Sequence, residues 1–389
     1  MKRLKKLLML IIIHVFNCLP IKKNKIFMFS YYGSQYGCNP KYLTEYILKH
    51  TPVGKFDIVW AFNDPDSQSI NRQIRKVKVM SSRYFYELCT SKVIITNFRT
   101  TDLFIKRKQQ YYIQTWHSSL RLKQIEKDAE EVLPEHYLKM AQRDSKKCNL
   151  VLSGCDYSTQ IFKRSFWYEG EIFELGTPRN DIFFQNEKRK DLLGKLNIPE
   201  ETKIVLYAPT FRKNNDLNAY DLDYSKVTNN LKNRFGGNWI VLIKFHPHLI
   251  SVKRELPADQ GLVDVTNYDD IQELLNISDV LITDYSSLMF DFSITKRPCF
   301  LYVPDIEDYT AQDRKLYFEL NDLPFIQAKS NQDLTEKIID FQAEVYEREL
   351  KYFLDRIGTF ENGQASEQII QRINEVCFTE KRREVYETI

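Results

Sequence analysis

The sequence predicts an α/β protein built on two parallel sheets. Three observations carry this. Short apolar runs rich in Val, Ile, Tyr and Phe alternate with longer helical patterns along the chain. The length, 389 residues, exceeds what one compact core holds and suits two domains. A polar stretch at 185–202, with Lys188-Arg-Lys-Asp and Pro199-Glu-Glu, separates two such series and reads as the link between them. Strands that alternate with helices imply parallel sheets covered on both faces.

The first element is unusual. From Met1 to Lys25 there are seven basic residues (Lys2, Arg3, Lys5, Lys6, Lys22, Lys23, Lys25) and no acidic one. The apolar run between the clusters, Leu7 to Leu19, is shorter than the roughly 20 residues a spanning helix needs. A signal peptide fits the basic start, but Pro20-Ile-Lys-Lys follows where a small-x-small cleavage site should stand. A buried N-terminal helix also fits. Basic residues on both flanks favour a helix lying on an anionic membrane surface. Strands are then expected at Ile26–Ser30, Phe56–Phe62, Val93–Asn97, Tyr111–Thr115 and Leu150–Ser153. A second series is expected at Ile204–Ala208, Trp239–Phe245, Val280–Thr283 and Pro298–Tyr302. Helical patterns cover Pro40–Lys49, Leu122–Asp144 and Ser287–Thr295. From Gln364 an amphipathic helix carries Ile369, Ile370, Ile373 and Val376 on one face. The segments are thus 1–25 (membrane surface), 26–190 and 191–362 (two α/β domains), and 363–389 (C-terminal helix).

Composition excludes several classes. Apolar content of 43% with 13% aromatic residues rules out a disordered or fibrous chain. A net charge of +4 rules out a protein dominated by a nucleic-acid field. The seven cysteines are scattered with no CxxC pair, so no zinc site and free thiols in a reducing compartment are expected.

Ligands of open parallel sheets sit at the carboxyl ends of strands. His117 follows one such run, and His246 and His248 follow another. Pro247 stiffens the His246-Pro-His248 turn, which suits anion contact better than a metal, since no third ligand stands nearby. Ser286 and Ser287 stand where a helix is expected to begin, either as plain caps or as a phosphate site. Tyr207-Ala-Pro-Thr-Phe-Arg212 and Gly176-Thr-Pro-Arg-Asn-Asp181 each place a Thr and an Arg in a proline-bearing loop. Arginine offers a permanently charged fork to phosphate oxygens. No Walker or GxGxxG loop is present, which argues against ATP hydrolysis and nicotinamide chemistry.

At these segments the chain resembles the CDP-glycerol glycerophosphotransferase family, the primases and polymerases of teichoic acids and related capsules. The matching strings are Asn39-Pro-Lys-Tyr42, Gln114-Thr-Trp-His117, Gly176-Thr-Pro-Arg-Asn-Asp181, Leu206-Tyr-Ala-Pro-Thr-Phe-Arg212, Lys244-Phe-His-Pro-His248 and Asp279-Val-Leu-Ile-Thr-Asp-Tyr-Ser-Ser287. They run in the family order over most of the chain. One loop departs: the family usually has His-Gly-Thr-Pro after Gln-Thr-Trp, and here His117-Ser-Ser-Leu-Arg-Leu-Lys stands instead.

The resemblance implies a GT-B-like fold, two Rossmann-like domains facing a central cleft, with no metal and no cofactor. It implies CDP-glycerol as donor, a lipid-linked saccharide or polyol-phosphate acceptor, and peripheral attachment to the cytoplasmic face of the plasma membrane. On it His117 is expected as general base. His246, His248, Arg212, Ser286 and Ser287, with Thr210 and Asp284, are expected to hold the donor phosphates. Arg179, Asn180 and Arg121 are expected on the acceptor side. CDP-ribitol or a nucleotide sugar as donor, and a non-catalytic assembly scaffold, are the alternatives. A homo-oligomer is compatible with the sequence, and nucleic acid is not expected as a partner.

Overall fold

The expected strands form, and they pair in parallel in two separate sheets. The computed structural model of the chain describes residues 2–185, 188–210, 212, 220–245, 261–307, 309 and 315–379. The first sheet comprises β1 (Lys22–Phe29), β2 (Asp57–Phe62), β3 (Arg75–Lys78), β4 (Ser91–Thr96), β5 (Tyr111–Gln114), β6 (Leu150–Ser153) and β7 (Glu171–Glu174). Its order is β3-β2-β1-β4-β5-β6-β7. The second comprises β8 (Lys203–Tyr207), β9 (Trp239–Ile243), β10 (Leu262–Asp264), β11 (Val280–Thr283), β12 (Cys299–Tyr302) and β13 (Ile326–Ala328). Its order is β10-β9-β8-β11-β12-β13. In each sheet the chain winds outward from a first strand and then reverses past it, so two strands that lead in opposite directions lie side by side. Those switch points fall between β1 and β4, and between β8 and β11. Open sheets bind ligands outside the carboxyl ends of such strands. This is a GT-B-like pair of Rossmann-like sheets.

Several expectations shift. The first strand starts at Lys22 rather than Ile26, so three of the basic residues assigned to the membrane segment belong to β1. Lys25 is fully buried, with Nζ 2.6 Å from Glu87 Oε2 and 2.5 Å from Thr90 Oγ1. A lysine enclosed this way serves the fold, not a membrane surface. Leu122–Asp144 is not one helix. A 3₁₀ turn spans Glu126–Ala129 and a helix runs Glu135–Ser145, its start set by Pro134, which has no N–H to give and disfavours a helical residue before it. The polar stretch at 185–202 is no bare link: it holds the helix Lys188–Lys195, and Leu192, Leu193 and Ile198 are buried in the core of the second sheet.

The C-terminal helix Ala365–Phe378 crosses back to the first sheet. Ile369, Ile370, Ile373 and Cys377 pack there with Ile26 and Val93. Both Asp181 carboxylate oxygens accept from its first N–H groups, Ala365 at 3.1 Å and Ser366 at 2.8 Å. The N-terminal helix Lys2–Asn17 lies on Ser82–Thr90. Ile13 is fully buried among Phe85, Leu88 and Cys89, while Leu7, Leu8, Ile11 and Val15 are each more than 50% exposed. No described helix is long and apolar enough to cross a membrane.

Candidate active site in the cleft between the sheets

Two connected cavities lie where the carboxyl ends of the sheets face each other. One, about 410 Å³, runs along the second sheet past Ala208, Pro209, Lys244, Phe245 and Asp269. The other, about 490 Å³, runs along the first sheet past Tyr32, Asn97, Phe98, Arg121 and Tyr137. They share Tyr31, His117, Ser118, Thr210, Ser286 and Ser287. Tyr31 and Asn97 follow β1 and β4; Thr210 and Ser286 follow β8 and β11. Both switch points therefore open onto one space, with His117 at the junction.

Local chemistry holds His117 there. Strand β5 ends at Gln114, whose side chain donates to the Phe98 carbonyl (2.8 Å) and accepts from the Trp116 N–H (3.0 Å). Trp116 turns the chain with φ of 49°, a left-handed conformation that costs a bulky residue. Its ring recovers packing edge-on against Phe166 at 5.0 Å and stacks with the His117 ring at 4.8 Å. His117 is left exposed, with Nδ1 3.4 Å from the Asn97 carbonyl. Asn39, of the Asn39-Pro string, is the hidden brace. Its amide donates to the carbonyls of Thr115 (3.3 Å) and Trp116 (3.2 Å) and accepts from the Arg179 N–H (3.0 Å).

The departing loop is firmly anchored. The Ser119 carbonyl accepts from Ser158 Oγ at 2.6 Å, and the Leu122 N–H donates to Ser287 Oγ at 3.3 Å, across the cleft. Gly154 permits the close approach: a Cβ there would stand 2.7 Å from Ser119 Cα.

The remaining expected residues separate into groups. Thr210, Ser286 and Ser287 line the shared space. The helix beside the serines runs only Leu288–Ser293, shorter than Ser287–Thr295, so little macrodipole stands behind them. Arg212 lines neither cavity. Its guanidinium is held by Asp284 (2.9 Å) and Asp305 (2.6 Å), so its charge is answered internally. Asp284 is buried and accepts from the Thr210 N–H at 3.0 Å; burial pushes its carboxyl up. These two residues shape the loop that presents Thr210. Arg179 borders the second-sheet cavity, but it is paired with the fully buried Asp291. Asn180 bonds Asp291 (3.2 Å), Glu361 (3.1 Å) and Gln272 (2.6 Å) and reaches neither cavity. Both belong to the junction between the sheets rather than to an open acceptor side. His246 and His248 lie outside the described residues.

Tyr31, Asn97 and Lys244 line the site without having been expected in it. Lys244 Nζ donates to the carbonyls of Thr266 (3.0 Å) and Tyr268 (2.6 Å), and burial lowers its pKa. Its place at the end of β9, the strand that also leads to His246, was the available signal. Among the described residues, no three His, Cys, Asp or Glu side chains stand close enough to share a metal ion.

Comparison with known proteins follows the same lines. Residues 11–375 match the family model described as CDP-Glycerol:Poly(glycerophosphate) glycerophosphotransferase. The teichoic acid poly(glycerol phosphate) polymerase of Staphylococcus epidermidis is 33% identical over 90% of this chain and 50% of its own, so the chain spans about half its length. The teichoic acid glycerol-phosphate transferase of Staphylococcus aureus is 31% identical over 90% of this chain and 93% of its own. The solved wall teichoic acid polymerase TagF superposes with a TM-score of 0.83 at 31% identity, covering 94% of this chain and 93% of that one. A variant of TagF soaked with CDPG superposes with a TM-score of 0.81 at 31% identity, covering 92% of this chain and 90% of that one.

Proposed function

The chain belongs to the CDP-glycerol:poly(glycerophosphate) glycerophosphotransferase family, and from that premise we propose that it moves glycerol phosphate from CDP-glycerol onto a hydroxyl of a growing cell-surface polymer. The observation that carries this reading is the position of His117, exposed where two cavities and both switch points meet. One arm then takes the donor and the other the acceptor. The solved relative soaked with CDPG supports the donor assignment.

In this mechanism the acceptor oxygen attacks the glycerol-bearing phosphorus of CDP-glycerol. The bond from that phosphorus to the bridging oxygen breaks, and CMP leaves with its electron pair. His117 takes the acceptor proton. A hydrogen on Nδ1, shared with the Asn97 carbonyl at 3.4 Å, leaves Nε2 as the accepting nitrogen. Positioned base catalysis of this kind is worth about 10²–10⁴-fold. Thr210, Ser286, Ser287 and Lys244 are the described donors for the pyrophosphate, and His246 and His248 are assigned the same role from the sequence. Arg212 acts through the loop it holds. The reaction on this reading uses no resident metal or cofactor, so a chelator should leave the rate unchanged.

The N-terminal helix is proposed to hold the enzyme on the cytoplasmic face of the membrane. Leu7, Leu8, Ile11 and Val15 form its exposed apolar stripe, next to the basic N-terminal end of the sequence. A donor screen tests the reaction: CDP-glycerol, CDP-ribitol and UDP-sugars are supplied with a short lipid-linked acceptor, and nucleotide release is measured with product mass. CMP release with gain of glycerol phosphate is expected. Release with CDP-ribitol or a UDP-sugar alone would replace this reading.

A further inference from the structure

His117 comes from the first sheet, but the contacts that fix its loop lead to the second. The helix Leu288–Ser293 begins directly after the cleft serines, and Asp291 stands in its first turn. Asp291 is fully buried and lines neither cavity. Its Oδ1 accepts from the Ser119 N–H at 3.4 Å and from Asn180 Nδ2 at 3.2 Å. Its Oδ2 pairs with Arg179. The Arg179 backbone N–H donates in turn to Asn39, whose amide holds the carbonyls of Thr115 and Trp116. Ser287, at the head of the same helix, accepts from the Leu122 N–H. The loop is thus gripped at Thr115 and Trp116 before His117, and at Ser119 and Leu122 after it. Each grip traces to Ser287 or Asp291. A buried carboxylate needs one counter-charge, which Arg179 supplies. Charge balance does not require the contact that its second oxygen makes with the loop.

We propose that Asp291 is a positioning residue for His117. It acts across the cleft through Ser119 on one side and through Arg179 and Asn39 on the other, so the base is in place only while the two halves are docked. The inference rests on the transferase reading and deepens it with a residue outside both substrate arms. A catalytic group displaced by about 1 Å can lose about 10²-fold in rate. Anchors on both sides of the histidine meet that tolerance. The short helix that places Ser287 also places the carboxylate that holds the base. Cleft serines and base are thereby set in one frame, although they arise on different sheets.

The test uses the full chain with Asp291→Asn, which keeps the shape and one oxygen of the side chain and removes its charge. With CDP-glycerol and a short lipid-linked acceptor, kcat should fall at least tenfold while CDP-glycerol affinity stays within threefold of native. In a His117→Ala background the same substitution should change kcat less than twofold, since a residue that acts through His117 has nothing left to act on. A residue that only stabilises the fold would lower both backgrounds equally. NMR of the histidine rings gives a readout independent of turnover. The His117 ring stacks on Trp116 at 4.8 Å, so its signal carries a ring-current shift, and the loss of that signal in His117→Ala assigns it. Asp291→Asn should move it toward the value of a free histidine. If Asp291→Asn fails to fold, Asn39→Ala serves with the same expectations, because it releases Trp116 and leaves the Arg179–Asp291 pair intact. An equal loss in both backgrounds, a fall in donor affinity that matches the fall in kcat, or an unmoved His117 signal would overturn the proposal. A moved signal with no nucleotide turnover by the native protein from any donor would refute the transferase reading and leave the positioning of His117 standing.

Discussion

At the scale of single residues the site depends on His117 being exposed and Trp116 being strained. Replacing His117 by Ala should lower turnover by about 10²–10⁴-fold and leave CDP-glycerol affinity nearly intact. Single-turnover rates and donor titration together check this; an equal fall in both would assign His117 to binding. Glu361 makes a separate prediction. Burial, with Asp291 nearby, pushes its carboxyl up from 4.5 to about 7, against hydrogen bonds from Thr177 and Asn180 that lower it. The fold therefore favours the protonated form. The stabilisation is complete below about pH 4.5 and is lost as pH rises through about 7. Melting temperature should fall over that window, and Glu361→Gln should flatten the fall; an unchanged slope would remove Glu361 from the account. His117 was legible because a histidine directly after a strand already marks a sheet-end site. Arg212 lies outside both cavities for a physical reason. Asp305, which takes up its charge, lies 93 residues away, and no local pattern shows that pairing. Asn97 was invisible, since one asparagine at a strand end carries no signal.

At the scale of elements, strand centres were legible and sheet edges were not. The four strands not expected, β3, β7, β10 and β13, are the outer strands of the two sheets. Central strands are covered on both faces and read as apolar runs, whereas Arg75-Lys-Val-Lys and Glu171-Ile-Phe-Glu face water and look like loops. The loop after His117 gives an element-scale prediction. Gly154→Ala should push Ser119 away and lower kcat at least tenfold, with donor affinity unchanged. Unchanged kcat would show that the loop tolerates displacement. The N-terminal helix gives another. Ile13 is part of the core, so deleting the helix would confuse folding with attachment. Leu8→Ser with Ile11→Ser alters only the exposed stripe. The pair should reduce sedimentation with anionic vesicles several-fold at unchanged melting temperature. Equal sedimentation would refute attachment through this stripe.

At the scale of the whole molecule, the cleft is held by a buried polar junction. Lys41 reaches Asp270 at 2.5 Å, Arg179 pairs with Asp291, and Gln272 donates to Asn180 at 2.6 Å. Each contact joins an element of the first sheet's half to one of the second's. Removing one partner of a buried pair strands the other, so Asp291→Ala should cost about 3–5 kcal/mol in denaturant unfolding. A loss below about 1 kcal/mol would mean that water reaches Arg179 and solvates it. The two-sheet plan was legible in the alternation of runs, but this junction was not, because its partners meet only once both sheets have formed. The central claim is that His117, set at the meeting of two substrate arms, transfers glycerol phosphate from CDP-glycerol. The most direct measurement follows CMP release and acceptor mass together, for native protein and for His117→Ala, with a short lipid-linked acceptor. The account predicts one glycerol phosphate added per CMP released by the native protein, and both slowed about 10²–10⁴-fold in the variant. CMP release without mass gain, or full transfer by His117→Ala, would contradict it.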